Sequence, residues 1–476
     1  MIERAWRYQE RPCASRRAVS PHRFGRSGVA SAMQHARHAP DALLTMHGLY
    51  IPRRVMPALP AGIPSMTPTT IAADPTRSTD FRVIGLVSAA HFISHVYFLV
   101  LPPVFPFVRA EFNVSYTELG LVMAAFNIIS AVLQTPAGFL VDRTSARVVL
   151  TGGILLGATS LTVASVMPGF YLFALVYAIC GLANTVYHPA DYALLSSRVS
   201  TPRVSQAFSV HIFAGFMGTA VTPAAMVILA TTLGWRAAFM VAALLGFVIA
   251  AAIVLFGHAL GGREAARAKA ASAGTAPAAG DWRVLMSWPV ILNLIFFMLI
   301  SAFSVGIQNY GIVALEALWN TPLSLATTAL TVHLFLSAFA VLAGGWLSSR
   351  TDRHDLVAVI GLGVSGVALL PVAYFDLNAA LLLFFMGLAG FFNGVMQPSR
   401  DMIVRAVTPP GAFGRVFGFV TTGFSIGGVI APPAFGYMMD NGAPRSVIVG
   451  TAICALIAIP TVLVTVASRI RKEGAA

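Results

Sequence analysis

Charge is what this chain has least of. Asp, Glu, Lys and Arg make up 10% of its 476 residues, where a soluble protein carries roughly a quarter. With a mean hydropathy of +0.78 it lacks the polar residues to clothe a set of soluble domains, and that class is excluded. Cysteine is nearly absent too. Cys13, Cys180 and Cys454 are scattered, with no CxxC or Cys/His spacing, which excludes a disulfide framework and a zinc motif. No Gly-x-x-x-x-Gly-Lys string occurs, so a P-loop driven by ATP is excluded. No His-Glu-x-x-His string or carboxylate pair supports a membrane-embedded hydrolase, and the chain is not expected to be an enzyme. Alternating runs of about ten residues, the mark of barrel strands, are missing as well.

Apolar sequence is what remains. Hydrophobic residues reach 57% and recur in runs of about 20, the length that crosses a bilayer as a helix. The expected fold is an all-α polytopic membrane protein with twelve transmembrane helices from Arg82 onward. A net charge of +13 invites a nucleic-acid reading, but the distribution of the charge argues against it. Residues 1–80 hold 11 Arg against 5 acids and show no helical or strand period. They read as a disordered cytoplasmic tail, or as sequence ahead of a true start at Met56 or Met66, with a transit peptide a further account. Beyond them, seventeen Lys and Arg fall in loops on one side, and only Arg109, Arg236 and Arg445 on the other. That asymmetry predicts cytoplasmic N- and C-termini in a bacterial inner membrane.

The chain repeats itself. Gly181 and Gly390, Asn184 and Asn393, Pro189 and Pro398, Phe208 and Phe417, and Pro223 and Pro432 all stand 209 apart. An offset this long marks duplication of a whole bundle. The predicted organisation is a first six-helix bundle at 81–259, a cytoplasmic linker at 260–287, a second bundle at 288–469 and a tail at 470–476. Units separated by six crossings keep one orientation, so the bundles are parallel repeats.

Between spans two and three runs Gly138-Phe-Leu-Val-Asp142-Arg143-Thr-Ser-Ala-Arg147, echoed 207 residues later by Gly345-Trp-Leu-Ser-Ser-Arg350-Thr-Asp352-Arg353. On these loops, the twelve spans and the linker, the chain resembles the major facilitator superfamily across about residues 82–470. The resemblance implies a secondary active transporter working by alternating access, with this cluster latching the cytoplasmic gate. Gly138 would allow two helices to approach closely, and Asp142 would pair with arginines across the interface. Ser145 and Ala146 depart from the family pattern. So does Ser349, where Asp352 is the available substitute.

Span four carries His188-Pro189 and Asp191, and here the chain is similar to the fosmidomycin-resistance type within that superfamily. His188 and Asp191 lie near one helix face, Asn184 is one turn away, and Pro189 frees a carbonyl one turn earlier. Ionisable residues at membrane depth need a cavity or a partner, and His211 on span five is the partner expected. Three roles compete for this group: proton coupling or solute contact, hydrogen bonding beside a proline bend, and a His/Asp/His metal site. The metal role is given least weight because two of the ligands come from helices whose facing sequence does not supply, and neither metal nor cofactor is expected. In the superfamily spans one, four, seven and ten line the cavity, which draws in His91, His95, Gln308, Asn309, Asn393, Gln397 and Arg400. Each could equally be a bond between helices. Small residues around Gly215, Gly218, Gly423 and Gly427 predict close packing of spans five and eleven.

The solute expected is a small anionic or neutral polar molecule, moved with protons by a monomer embedded in lipid, with no nucleic-acid partner. The alternatives are a multidrug or antibiotic efflux antiporter and a non-transporting receptor or scaffold of the same fold.

Overall fold

The computed structural model describes residues 75–261, 282–408 and 413–473. The predicted tails and most of the predicted linker lie outside them. Among the described residues, twelve helices are long and apolar enough to cross a membrane. Span one is Pro75–Leu99, extended past a turn at Pro102–Val104 by Phe105–Phe112. Its first helix therefore begins ahead of the predicted start at Arg82. Asp80, assigned by sequence to the tail, is buried, accepting from Ser200 and from Arg203 at 2.7 Å. Spans two and three are Tyr116–Arg143 and Ala146–Ser165, and span four is Phe170–Asn184 followed by Tyr187–Arg198. Spans five and six are Val204–Leu233 and Trp235–Phe256. The second half runs Trp288–Trp319, Leu323–Ser348, His354–Tyr374, Ala379–Val407, Phe413–Asp440 and Pro444–Glu473, spans seven to twelve.

Proline explains both breaks. Leu101-Pro102-Pro103 removes two consecutive N–H donors from span one, and the backbone tightens into a 3-10 turn before resuming. In span four Pro189 cannot donate to the Thr185 carbonyl, and the helix parts between Asn184 and Tyr187, where the sequence puts the bend. The equivalent Pro398 leaves span ten continuous.

Packing follows the duplication. In the first half span one lies on five, two on four, and three on both four and six. In the second half seven lies on eleven, eight on ten, and nine on both ten and twelve, the same scheme shifted by six spans. Close approach at glycine sets these pairs. A Cβ on Gly218 would strike the Phe92 carbonyl of span one, and one on Gly423 or Gly427 would strike span seven at Leu294 or Met298. Gly181 meets the backbone of Phe126 as Gly390, 209 residues on, meets that of His333. One string in span eleven, Gly423-Phe-Ser-Ile-Gly427, has the spelling of a nucleophile elbow. It lies within a continuous helix with both glycines spent on packing, and so lacks the strand-to-helix turn that would expose its serine.

The halves meet through spans two and eleven and through spans five and eight. Arg109, Arg236 and Arg445 mark one end of the bundles, the far end; the arginine-rich loops mark the other, the basic end. The far end is sealed. Tyr116 and Thr117 N–H donate to Asp440 at 2.8 Å each, and Tyr310 Oη donates to the Pro432 carbonyl at 2.6 Å, joining spans two, seven and eleven.

Candidate functional site

Polar side chains of three spans converge inside the first half. Asp191 of span four is fully buried, with Oδ2 3.5 Å from His91 Nδ1 of span one and 3.9 Å from His211 Nε2 of span five. The His91 and His211 rings stack with centroids 3.8 Å apart, and both are buried. His188 stands 5.2 Å from His91, ring to ring, and is exposed. His95 lies edge-on to His91 at 4.6 Å, and its Nδ1 shares a hydrogen bond of 2.8 Å with Thr219 of span five.

Local sequence places each member. His91 and His95 are four apart, one turn on the same face of span one. The break at Thr185–Val186 restarts span four with His188 in its first turn and Asp191 one turn on. Gly215 has no side chain, and that leaves room for the rings: a Cβ there would sit 2.5 Å from His91 Nε2 and 2.9 Å from His95 Nε2.

The cluster is crowded yet poorly satisfied. His91 Nδ1, both ring nitrogens of His211 and both oxygens of Asp191 are buried without a hydrogen-bond partner. Leaving such groups unpaired costs on the order of 1–3 kcal/mol each. His211, the partner the sequence suggests for Asp191, approaches it to 3.9 Å without a hydrogen bond. The shorter contact, to His91, is one that helix periodicity within span four has no means of revealing.

Other expected cavity residues have different positions. Asn184 Nδ2 donates to Ser130 Oγ at 3.3 Å, and Asn393 Nδ2 to Ser337 Oγ at 3.4 Å. The duplicated asparagines thus tie span four to two and span ten to eight, the bond between helices that is one of the two readings open for them. Asn309 is buried, while Gln308 and Gln397 are half-buried, and none of the three joins the histidine cluster. Arg400 lies over the Phe297 and Phe424 rings, 4.9 and 5.2 Å from their centroids, and the two rings pack edge to face on each other at 4.8 Å. Its Nε donates to Asp401 at 2.8 Å, while Asp401 itself is partly exposed.

Among the described residues, those predicted to form the gate at the basic end contact only their own bundle. A Cβ on Gly138 or Gly345 would meet nothing within 4 Å, so neither glycine mediates the close approach expected of it in this conformation. Arg143 is exposed, and the Asp142 side chain lies outside the described residues. Arg147 Nη2 donates to the Ile253 and Val254 carbonyls at 3.1 and 2.8 Å, capping the end of span six within its own half. Arg350 lies over Trp346, and Arg353 pairs with Asp355 at 3.3 Å, while Asp352 is exposed. Each visible contact stays inside one bundle.

Two six-span bundles in parallel repeat, sealed at one end around a polar interior, define an integral membrane protein of carrier architecture. The chain belongs to the Major Facilitator Superfamily, whose family model matches residues 87–323 and 294–475. It is 24% identical over 364 residues to the fosmidomycin resistance protein of Escherichia coli, covering 75% of this chain and 87% of that one. It is also 24% identical over 393 residues to a probable sulfoacetate transporter of Cupriavidus necator, covering 76% and 88%. Among solved structures it resembles a bacterial homolog of the human lysosomal transporter Spinster. That match has a TM-score of 0.67 at 13% identity, over 83% of this chain and 97% of the other.

Proposed function

We propose that the protein is a proton-coupled secondary transporter for a small organic anion. It works as a monomer in a bacterial inner membrane with its basic end in the cytoplasm. The observation that carries the reading is Asp191, buried and without a hydrogen bond between His91 and His211, while exposed His188 stands beside them. A carboxylate and imidazoles within proton-transfer reach of a wetted ring are suited to load and release a proton. The Asp440 contact between the halves and the open surroundings of Gly138 and Gly345 support reading this conformation as the cytoplasm-open state of an alternating-access cycle.

Arg400 supports an anionic solute. Its guanidinium sits against two aromatic rings and is oriented by Asp401, a preorganised cation in the second half. The name of the Cupriavidus relative points the same way, since sulfoacetate is a small anion. Proteoliposomes given labelled sulfoacetate or fosmidomycin under an imposed pH gradient test the proposal. Accumulation should require the gradient and disappear in His188→Gln and Asp191→Asn, which keep solute counterflow. Full gradient-driven uptake by both variants would remove the coupling assignment, and uptake of organic cations alone would remove the anionic solute.

A further inference from the structure

We propose that His91, His188 and His211, together with Asp191, form a binding site for a first-row divalent transition ion, with Zn²⁺ as the best-matched occupant. The inference rests on the geometry of the cluster, and it stands whether or not the same groups exchange protons.

Three spans each contribute one imidazole, and one ring nitrogen from each lies within 4.8 Å of the others. Four donors about a tetrahedral Zn²⁺ at 2.0–2.1 Å stand roughly 3.4 Å apart. The rings are therefore within a side-chain rotation of that arrangement, and His188, exposed and at the start of its helix, has the freedom to make it. Asp191 Oδ2, against both His91 and His211, supplies a fourth donor.

The unsatisfied atoms are an independent observation. The His91 Nδ1, both His211 nitrogens and both Asp191 oxygens are buried without a hydrogen bond, their contacts to one another being the longer ones of 3.5 and 3.9 Å. Isolated buried atoms elsewhere also lack a partner, among them Ser88 Oγ, Tyr97 Oη and Ser399 Oγ, but among the described residues only here do five such atoms on three spans converge. His333, buried in the second half, shares a hydrogen bond of 3.0 Å with the Met386 carbonyl. A divalent ion would satisfy the cluster in one step and cancel the burial of the Asp191 charge.

Donor type decides the class of ion. Three imidazoles and a single carboxylate are too few oxygens for Ca²⁺ or Mg²⁺, which take six or more, and suit Zn²⁺, Co²⁺, Ni²⁺ or Cu²⁺. Spans one, four and five all belong to the first bundle, so the ion would knit that bundle together without bridging the two halves. It enters past His188, the one exposed ligand.

The test uses the full chain, purified in detergent with a histidine-free affinity tag, stripped with chelator and titrated with Co²⁺ at fixed pH without a membrane. The expected result is one equivalent of ion showing the intense visible bands of a four-coordinate site, displaced by Zn²⁺. His188→Gln and His211→Gln should each weaken Co²⁺ binding by at least about tenfold. His258→Gln, which removes an exposed histidine away from the site, should leave it unchanged. Melting temperatures without metal identify a variant that fails to fold. His188→Gln, altering an exposed side chain, is expected to match the parent in that measurement. Absence of the four-coordinate bands overturns the proposal, as does equal affinity in the parent and His188→Gln. Because no proton gradient is present, either result leaves the coupling experiment to be judged separately.

Discussion

Asp440, at the end of span eleven, caps the first turn of span two, its two carboxylate oxygens accepting from the Tyr116 and Thr117 N–H groups at 2.8 Å each. A carboxylate placed on free N–H groups at a helix N-terminus satisfies both the hydrogen bonds and the helix dipole. Here the cap comes from the opposite half, so a contact of ordinary strength works as a latch between bundles.

Breaking that latch is expected to favour the state open at the far end. Asp440→Ala removes a cap worth about 1–2 kcal/mol, enough to change the ratio of the two states by roughly 5- to 30-fold. Spin labels at Thr232→Cys and Ser324→Cys, exposed at the far ends of spans five and eight in a background without native cysteines, would report it. A longer distance component should appear in Asp440→Ala; an unchanged distribution would show that the cap does not hold the seal.

Glycine positions separate folding from gating. Gly218→Ala drives a Cβ into the Phe92 carbonyl of span one, where backbone has nowhere to go, and should cost about 1–3 kcal/mol in thermal stability. Gly138→Leu meets open space in this conformation and should leave the melting temperature unchanged. If the basic end closes on that glycine during the cycle, the same variant lowers turnover several-fold in vesicles. Normal turnover in Gly138→Leu would mean that no close approach occurs there at any stage.

Gly215 is the point where packing and chemistry meet. Gly215→Ala places a methyl 2.5 Å from His91 Nε2 and 2.9 Å from His95 Nε2, so both rings must shift. Gradient-driven accumulation should fall more than counterflow, because the shift disturbs the His–Asp cluster while leaving Arg400 in the other half untouched. Equal loss of both activities would indicate general unfolding instead.

Arg400 and the two asparagines should divide along different lines. Arg400→Lys keeps the charge but loses the planar stacking on Phe297 and Phe424. It should raise the KM for sulfoacetate by about 10-fold or more, a loss of roughly 1.4 kcal/mol of solute binding. Asn184→Ala and Asn393→Ala each remove one hydrogen bond between helices, to Ser130 and Ser337. They should lower stability by about 0.6–1 kcal/mol and leave KM alone. A KM effect from either asparagine would return it to the solute site.

Much of the architecture is readable before any coordinates. Twelve spans, two halves and the bend at Pro189 are properties of hydrophobic length, duplication at a fixed offset, and a missing N–H, all written locally along the chain. His188, Asp191 and His211 are legible for a similar reason, since a titratable group in an apolar run stands out wherever it points. The seam partners Ser130 and Ser337 were missed because a serine in an apolar helix usually bonds its own backbone and gives no sign of a cross-helix role. Asp80 was missed because the Arg-rich stretch before it masks where the first helix begins.

The sequence by itself determined how many helices cross the membrane, where they bend and which of them carry ionisable groups, because each of these depends on neighbours in the chain. Only the tertiary structure decided that Asp191 lies nearest His91, that Asn184 and Asn393 turn into seams, and that the far end is the closed one. Those outcomes depend on the rotation of each helix about its own axis. That rotation is set by small residues such as Gly215 and Gly218 seating against another span, and an apolar helix in a low-dielectric surround carries no pattern that announces it.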